Sequence, residues 1–226
     1  MIKKITQYLL QRRCALSLLL MLMLLQPVMA QIQTREMYAR LDRETQTLTL
    51  YYDTNFRVGE DQAVSYNPLW MLVDERKKIK TVVFDESFKD ARPKYCVTWF
   101  WLFEALTTIE HLDYLNTSEV DDMRSMFSNC TRLETLDLSS FNTEKVTSMQ
   151  TMFEGSTNLR TIKLPKGFIG SSVTDLNGMF RGCASLTELD LSGSNAEKVK
   201  NMGSMFYGCV ALSNLNLSGF ESMYFL

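Results

Sequence analysis

The amino-acid sequence predicts a repeat solenoid, with short parallel strands and helical turns stacked rung on rung behind a small N-terminal β cap. Met–Phe pairs recur at Met126–Phe127, Met152–Phe153, Met179–Phe180 and Met205–Phe206, at spacings of 26, 27 and 26 residues. Each pair is followed by an L-x-x-L-x-L run: Leu133, Leu136, Leu138; Leu159, Ile162, Leu164; Leu186, Leu189, Leu191; Leu212, Leu215, Leu217. The stretch before the repeats lacks this register and alternates like β-strands. A fixed period in this range marks units that cannot bury their own apolar face and must stack to do so.

Residues 1–30 read as an export signal. Lys3, Lys4, Arg12 and Arg13 form a basic start with no acid, Cys14–Leu25 is apolar, and Val28 and Ala30 are the small residues before a cleavage site. The apolar run is shorter than the ~20 residues of a spanning helix. Cys14 precedes that run, which is the wrong order for a lipid-modified cysteine. Cleavage would leave 196 residues, with no later transmembrane segment expected. The remainder holds 20 basic and 26 acidic residues, which is no nucleic-acid footprint. With 46% hydrophobic and 22% charged residues the chain is globular.

Residues 31–98 are expected to form the β-rich cap. MYARLD and TLTLYYD around the polar RETQ read as a hairpin, VGEDQAVSYNPLW as a loop, and Ile79–Asp85 (IKTVVFD) as a strand. An aromatic stretch, Glu86 to Phe103 (ESFKDARPKYCVTWFWLF), leads into the repeats. A cap is required because an open solenoid end exposes apolar edges.

Residues 99–220 are expected to hold four to five rungs. A degenerate first rung is marked by Phe103, Ile109 and Leu112. In the later rungs M-x-x-M-F places apolar side chains at i, i+3 and i+4, one face of a helical turn. L-x-L alternates, which suits a short strand with leucines on one side. Burying each such side chain contributes ~1.5–3 kcal/mol before ordering entropy is subtracted. Cys130, Ser156, Cys183 and Cys209 share one position, which reads as a tight slot for small residues holding free thiols. A Cys183–Cys209 bridge between neighbouring rungs stays open as the alternative. Asn116, Asn142 and Asn195 read as corner residues that bond nearby backbone. A valine precedes each Met–Phe pair (Val120, Val146, Val173, Val199). Residues 221–226 begin a further rung, with Phe225 26 residues after Val199, and self-association through this end is expected if no rung follows.

LETLDLSSFNTEKVTSMQTMF, residues 133–153, resembles the repeat of the BspA-like leucine-rich-repeat proteins of bacterial surfaces, close to LxxLDLSxFNTxxVTxMxxMFxGC. The stretches REMYARLD, TLTLYYD and TVVFDESFKDARP resemble what precedes such repeats. The resemblance covers about residues 35–220 and departs at KLPKGFIGSS in the third rung. It implies a solenoid of leucine-rich-repeat type. It also implies a secreted or cell-surface protein that adheres to host matrix proteins or to other cells.

Motifs for catalysis are missing. There is one histidine, His111, and no G-x-S-x-G, C-x-x-C or glycine-rich phosphate loop. No enzyme activity, cofactor or metal is expected. The outward positions of the strands are therefore the candidate binding ladder. Rung by rung these are His111 and Asp113, Thr135 and Asp137, Thr161 and Lys163, Glu188 and Asp190, and Asn214 and Asn216. The expected partner is a protein or glycan. The alternative is a structural spacer or assembly subunit joined through the C-terminal rung.

Overall fold

The computed structural model describes residues 35–55, 62–63 and 75–220. The proposed signal segment and the incomplete last rung lie outside the described residues. The expected hairpin is present. Strands β1 (Glu36–Asp42) and β2 (Thr47–Asp53) pair antiparallel, from Glu36 opposite Asp53 to Asp42 opposite Thr47. Asp42 closes the turn by accepting the Glu44 and Thr45 amides at 2.8 and 3.2 Å. Within the stretch read as a loop, Gln62–Ala63 forms β3, paired antiparallel with β1. Two residues are too few to leave an alternation in the sequence.

β4 (Thr81–Phe84) lies parallel to β2 and buries Val82 and Phe84. Its other edge pairs in parallel with β5 (Thr108–Glu110), the strand of the first rung. The later rungs contribute β6 (Thr135–Asp137), β7 (Thr161–Lys163), β8 (Glu188–Asp190) and β9 (Asn214–Asn216). β6 pairs with β7 and β8 with β9, both in parallel. On another side of the rungs, parallel bridges run from Tyr95 to Asp122, Ser148, Asp175 and Asn201. Buried apolar side chains from Ala39 to Met205 make one continuous core.

That core is organised by the Met–Phe register. The rings of Phe127, Phe153, Phe180 and Phe206 stack with centroids 5.8, 5.2 and 5.9 Å apart and planes within 11°. The first ring of the column is Phe100, 5.2 Å from Phe127. Phe103, expected to mark the first rung, packs edge-on against Phe100 at 5.8 Å. It occupies the position of the cysteine slot instead: Leu106 N–H bonds the Phe103 carbonyl as Leu133 N–H bonds that of Cys130.

The expected helical turn is corrected. Met123, Ser125, Phe127 and Asn129 donate their amides to Ser148, Gln150, Met152 and Glu154 of the next rung, at 3.1, 3.0, 2.8 and 2.7 Å. The intervening Met126 and Ser128 amides close local turns onto Met123 and Ser125. An α-helix over this segment would turn the amides after its first four, those of Phe127 and Asn129 among them, onto i−4 carbonyls and away from the neighbour. Linked turns deliver the same i, i+3, i+4 face while hydrogen-bonding the stack. They require left-handed backbone at two positions per rung, seen at Ser125 and Asn129 (φ 53° and 59°) and again at Thr151 and Gly155.

Three further columns of side chains close the corners by accepting the amide two residues on. Asp122, Ser148, Asp175 and Asn201 form one, over 2.9–3.4 Å. Asn116, Asn142 and Asn195 form the second at 3.0–3.1 Å, in the role their spacing suggests. The third, Asp137, Asp190 and Asn216, follows the strands. In the divergent third rung Phe168 and Ile169 are buried, and the Phe168 carbonyl accepts Thr143 Oγ1 at 2.7 Å. Gly170 is needed there because a Cβ would fall 2.8 Å from the Thr143 carbonyl oxygen.

The cysteine slot is a hydrogen-bonding position. Cys130, Cys183 and Cys209 are free thiols, and each Sγ donates to the carbonyl of a Phe-column residue in the rung before: Phe100, Phe153 and Phe180, at 3.2, 3.2 and 3.0 Å. Ser156 does the same to Phe127 at 2.7 Å. A slot that accepts Cys or Ser is one that needs a short donor. Burial pushes the Cys183 thiol up to about 12, and raises Cys96 and Cys130 as well. Cys209 is only half-buried. Because the thiolate is the reactive form, iodoacetamide at pH 8 should modify Cys209 before the three buried cysteines, Cys96, Cys130 and Cys183, which should stay intact until unfolding. Mass spectrometry of timed aliquots checks this, and equal rates at all four sites would contradict it.

Candidate functional site

The strand register brings most of the outward ladder together. Thr135 stands beside Thr161, Asp137 beside Lys163, Glu188 beside Asn214 and Asp190 beside Asn216. All are exposed except Thr161, which is half-buried. Lys163 Nζ reaches Asp137 Oδ2 at 3.2 Å. Similar rung-to-rung pairs join Lys145 to Glu119 at 2.7 Å and Arg181 to Glu154 at 3.5 Å. All lie at the surface, with only Glu154 half-buried, and each contributes about 0–1 kcal/mol, so they set the surface pattern more than the stability.

One column of the ladder has a second role. Asp137 Oδ1 accepts the Ser139 hydroxyl at 2.6 Å and its amide at 3.0 Å. These bonds, followed by Lys163, hold its pKa below the ordinary carboxylate value. The Ser192 amide does the same for Asp190.

His111 and Asp113 are corrected. Neither lies on a strand. His111 has left-handed backbone (φ 56°, ψ 37°) and leads into a 3-10 turn, Leu112–Tyr114, that contains Asp113. The Tyr95–Asp122 bridge sets an offset of 27 residues between these rungs, which puts Thr108 and Glu110 level with Thr135 and Asp137. Both residues are nonetheless exposed, and the His111 ring stacks on Tyr114 at 4.9 Å with planes 10° apart. Lys89 Nζ sits 4.2 Å from the Tyr114 ring centroid.

This displacement builds a concavity. β5 pairs with β4 and β6 with β7, but no pairing joins β5 to β6 among the described residues. Between them lies a groove of about 580 Å³. Its apolar lining is Ile109, Leu112 and Leu136; its polar lining includes His111, Asp113, Thr135 and Asp137. A second concavity of about 320 Å³ shares Asp113 and Ser140 and includes Tyr114 and Lys89. Four ladder residues thus line the groove. Thr161, Lys163, Glu188, Asp190, Asn214 and Asn216 do not. Thr107, Thr108, Ser139, Ser140 and Tyr114 join the site unforeseen, and no spacing in the sequence marked them.

Among the described residues no group of three His, Cys, Asp or Glu side chains could hold a metal ion. No helix there is long and apolar enough to cross a membrane. The last described rung leaves Tyr207 69% and Val210 84% exposed.

Residues 100–173 match the family described as the BspA type leucine rich repeat region. Residues 166–223 match one described as a Mycoplasma protein of unknown function, DUF285. No curated protein matches the chain. Among solved structures, a leucine-rich repeat protein from Bacteroides ovatus ATCC 8483 is 18% identical, with a TM-score of 0.41 over 84% of this chain and 53% of that one. A leucine rich cell surface protein from Faecalibacterium prausnitzii A2-165 is also 18% identical, with a TM-score of 0.35 over 80% of this chain and 52% of that one. The chain spans about half the length of each.

Proposed function

From the premise that this chain belongs, through residues 100–173, to the BspA-type leucine-rich-repeat family, we propose that it is an exported surface protein acting as a non-catalytic binding module. Its repeats would form a solenoid closed at one end by the N-terminal strands. Its ligand would be a matrix protein, a glycan or the surface of another cell. The observation that supports this most is the rung register itself. Exposed side chains such as Asp137 and Lys163 stand side by side on hydrogen-bonded strands. A surface held this way loses little freedom on binding, which favours affinity.

The test is binding of the purified, immobilised protein to a panel of matrix proteins and glycans. A variant with Asp137, Lys163 and Asp190 changed together should lose most of the signal, and unchanged binding would exclude the ladder. Surface labelling of intact cells tests the location. A second reading, a spacer or assembly subunit, draws on the exposed Tyr207 and Val210 of the last described rung. Light scattering that rises with concentration would favour it over a monomeric binder.

A further inference from the structure

We infer that the groove between β5 and β6 is a subsite for a short neutral glycan. This rests on the surface-binding reading above and names where and what the module binds. The groove is built into the fold. The two rungs remain joined on their other sides: Tyr95 bridges Asp122, Cys130 Sγ donates to the Phe100 carbonyl, and Thr131 Oγ1 donates to the Glu104 carbonyl at 3.1 Å. They are unpaired along β5 and β6, and the chain leaves β5 through the left-handed His111, so the opening has a fixed back.

Its chemistry has two faces, as a sugar ring does. Half-buried Ile109, backed by the almost fully buried Leu112 and Leu136, offers a small apolar floor for the C–H face of a pyranose. Around them stand hydroxyl side chains and two carboxylates, which accept hydrogen bonds from sugar hydroxyls. Asp113 has no hydrogen bond or ion pair among the described residues. Asp137 keeps acceptor capacity at Oδ2 beyond its bond to Lys163. His111, held flat against Tyr114, adds an aromatic edge.

The same inventory selects against other ligands. No Lys or Arg lines this groove, and the neighbouring cation, Lys163, is engaged by Asp137, so an anionic glycan would meet two carboxylates and no free cation in the lining. Its volume of about 580 Å³ falls in the usual range for small-ligand sites of roughly 300–1,000 Å³. A protein partner, by contrast, needs about 800 Å² of surface from each side. A cationic peptide is the nearest competitor.

The test uses the full chain against three probes: an array of neutral hexose and N-acetylhexosamine oligomers, their sulfated counterparts, and an oligolysine peptide. Calorimetric titration follows with the strongest neutral oligomer. Neutral oligomers should bind and sulfated ones should bind more weakly. His111→Asn combined with Asp113→Asn should lower affinity about tenfold or more, the scale of a lost hydrogen bond to a charged group. Asparagine at 111 keeps a residue that tolerates left-handed backbone, so the unfolding midpoint should not move. Glu197→Gln, at an exposed position on neither the ladder nor the groove, should leave affinity unchanged. Preference for sulfated oligomers, binding of oligolysine alone, or neutral binding untouched by the groove variant would each overturn the inference. If matrix proteins bind and no glycan does, the inference fails and the surface-binding reading stands. If nothing on either panel binds, both fail.

Discussion

Replacing Phe153 by alanine lowers the unfolding free energy by about 3–5 kcal/mol, the cost of a large cavity in a packed core. Phe153 is completely buried and sandwiched between Phe127 and Phe180. A void there removes the support of both neighbours. Each rung is held by the next, so no other part of the molecule can collapse to fill it. The internal comparison is Phe206, which stacks on Phe180 from one side and is only partly buried. Phe206→Ala should cost less than half as much, because its ring is stacked on one face only and is already partly exposed. Urea titrations of the two variants check the order. Equal losses would mean that the column is not the core.

The second large effect belongs to Ser156. Its hydroxyl donates to the buried Phe127 carbonyl at 2.7 Å and accepts the Cys130 amide at 3.2 Å. Ser156→Ala keeps the volume almost unchanged but orphans both backbone groups. Each unsatisfied buried group costs about 1–3 kcal/mol, so the variant should lose roughly 2–4 kcal/mol. Ser156→Cys should recover most of it, since Cys130 and Cys183 hold equivalent bonds. By the same logic Cys183→Ser should be nearly neutral and Cys183→Ala should not. If alanine is tolerated at both positions, the slot is selected for size and not for its donor.

Particular residues show how far the sequence carries. The Met–Phe register placed four of the five stacked rings, because a column of identical side chains needs identical spacing. The alternations in Thr47–Asp53 and Ile79–Asp85 marked β2 and β4, since one side of each packs on the core. The turn at Met123–Asn129 was read as helical because apolar spacing reports which side chains share a face and not which carbonyl each amide finds. The residue before the cysteine slot held the missing signal: Asn129, Gly155, Gly182 and Gly208 all have left-handed backbone. His111 and Asp113 were placed by counting from Leu112, whereas the bridge at Tyr95 sets the offset at 27 residues. The groove was not legible at all. It combines an absent β5–β6 pairing with the 3-10 turn at Leu112–Tyr114, and no residue type announces either.

The central claim is that the rungs stand only by stacking on one another. Native-state hydrogen exchange reads it directly at the Phe127, Phe153 and Phe180 amides, which donate across rungs to Met152, Met179 and Met205. All three should be strongly protected in the parent protein and lose protection together in Phe153→Ala. Loss confined to Phe153, with Phe127 and Phe180 unchanged, would show rungs that hold their structure independently and would contradict the account.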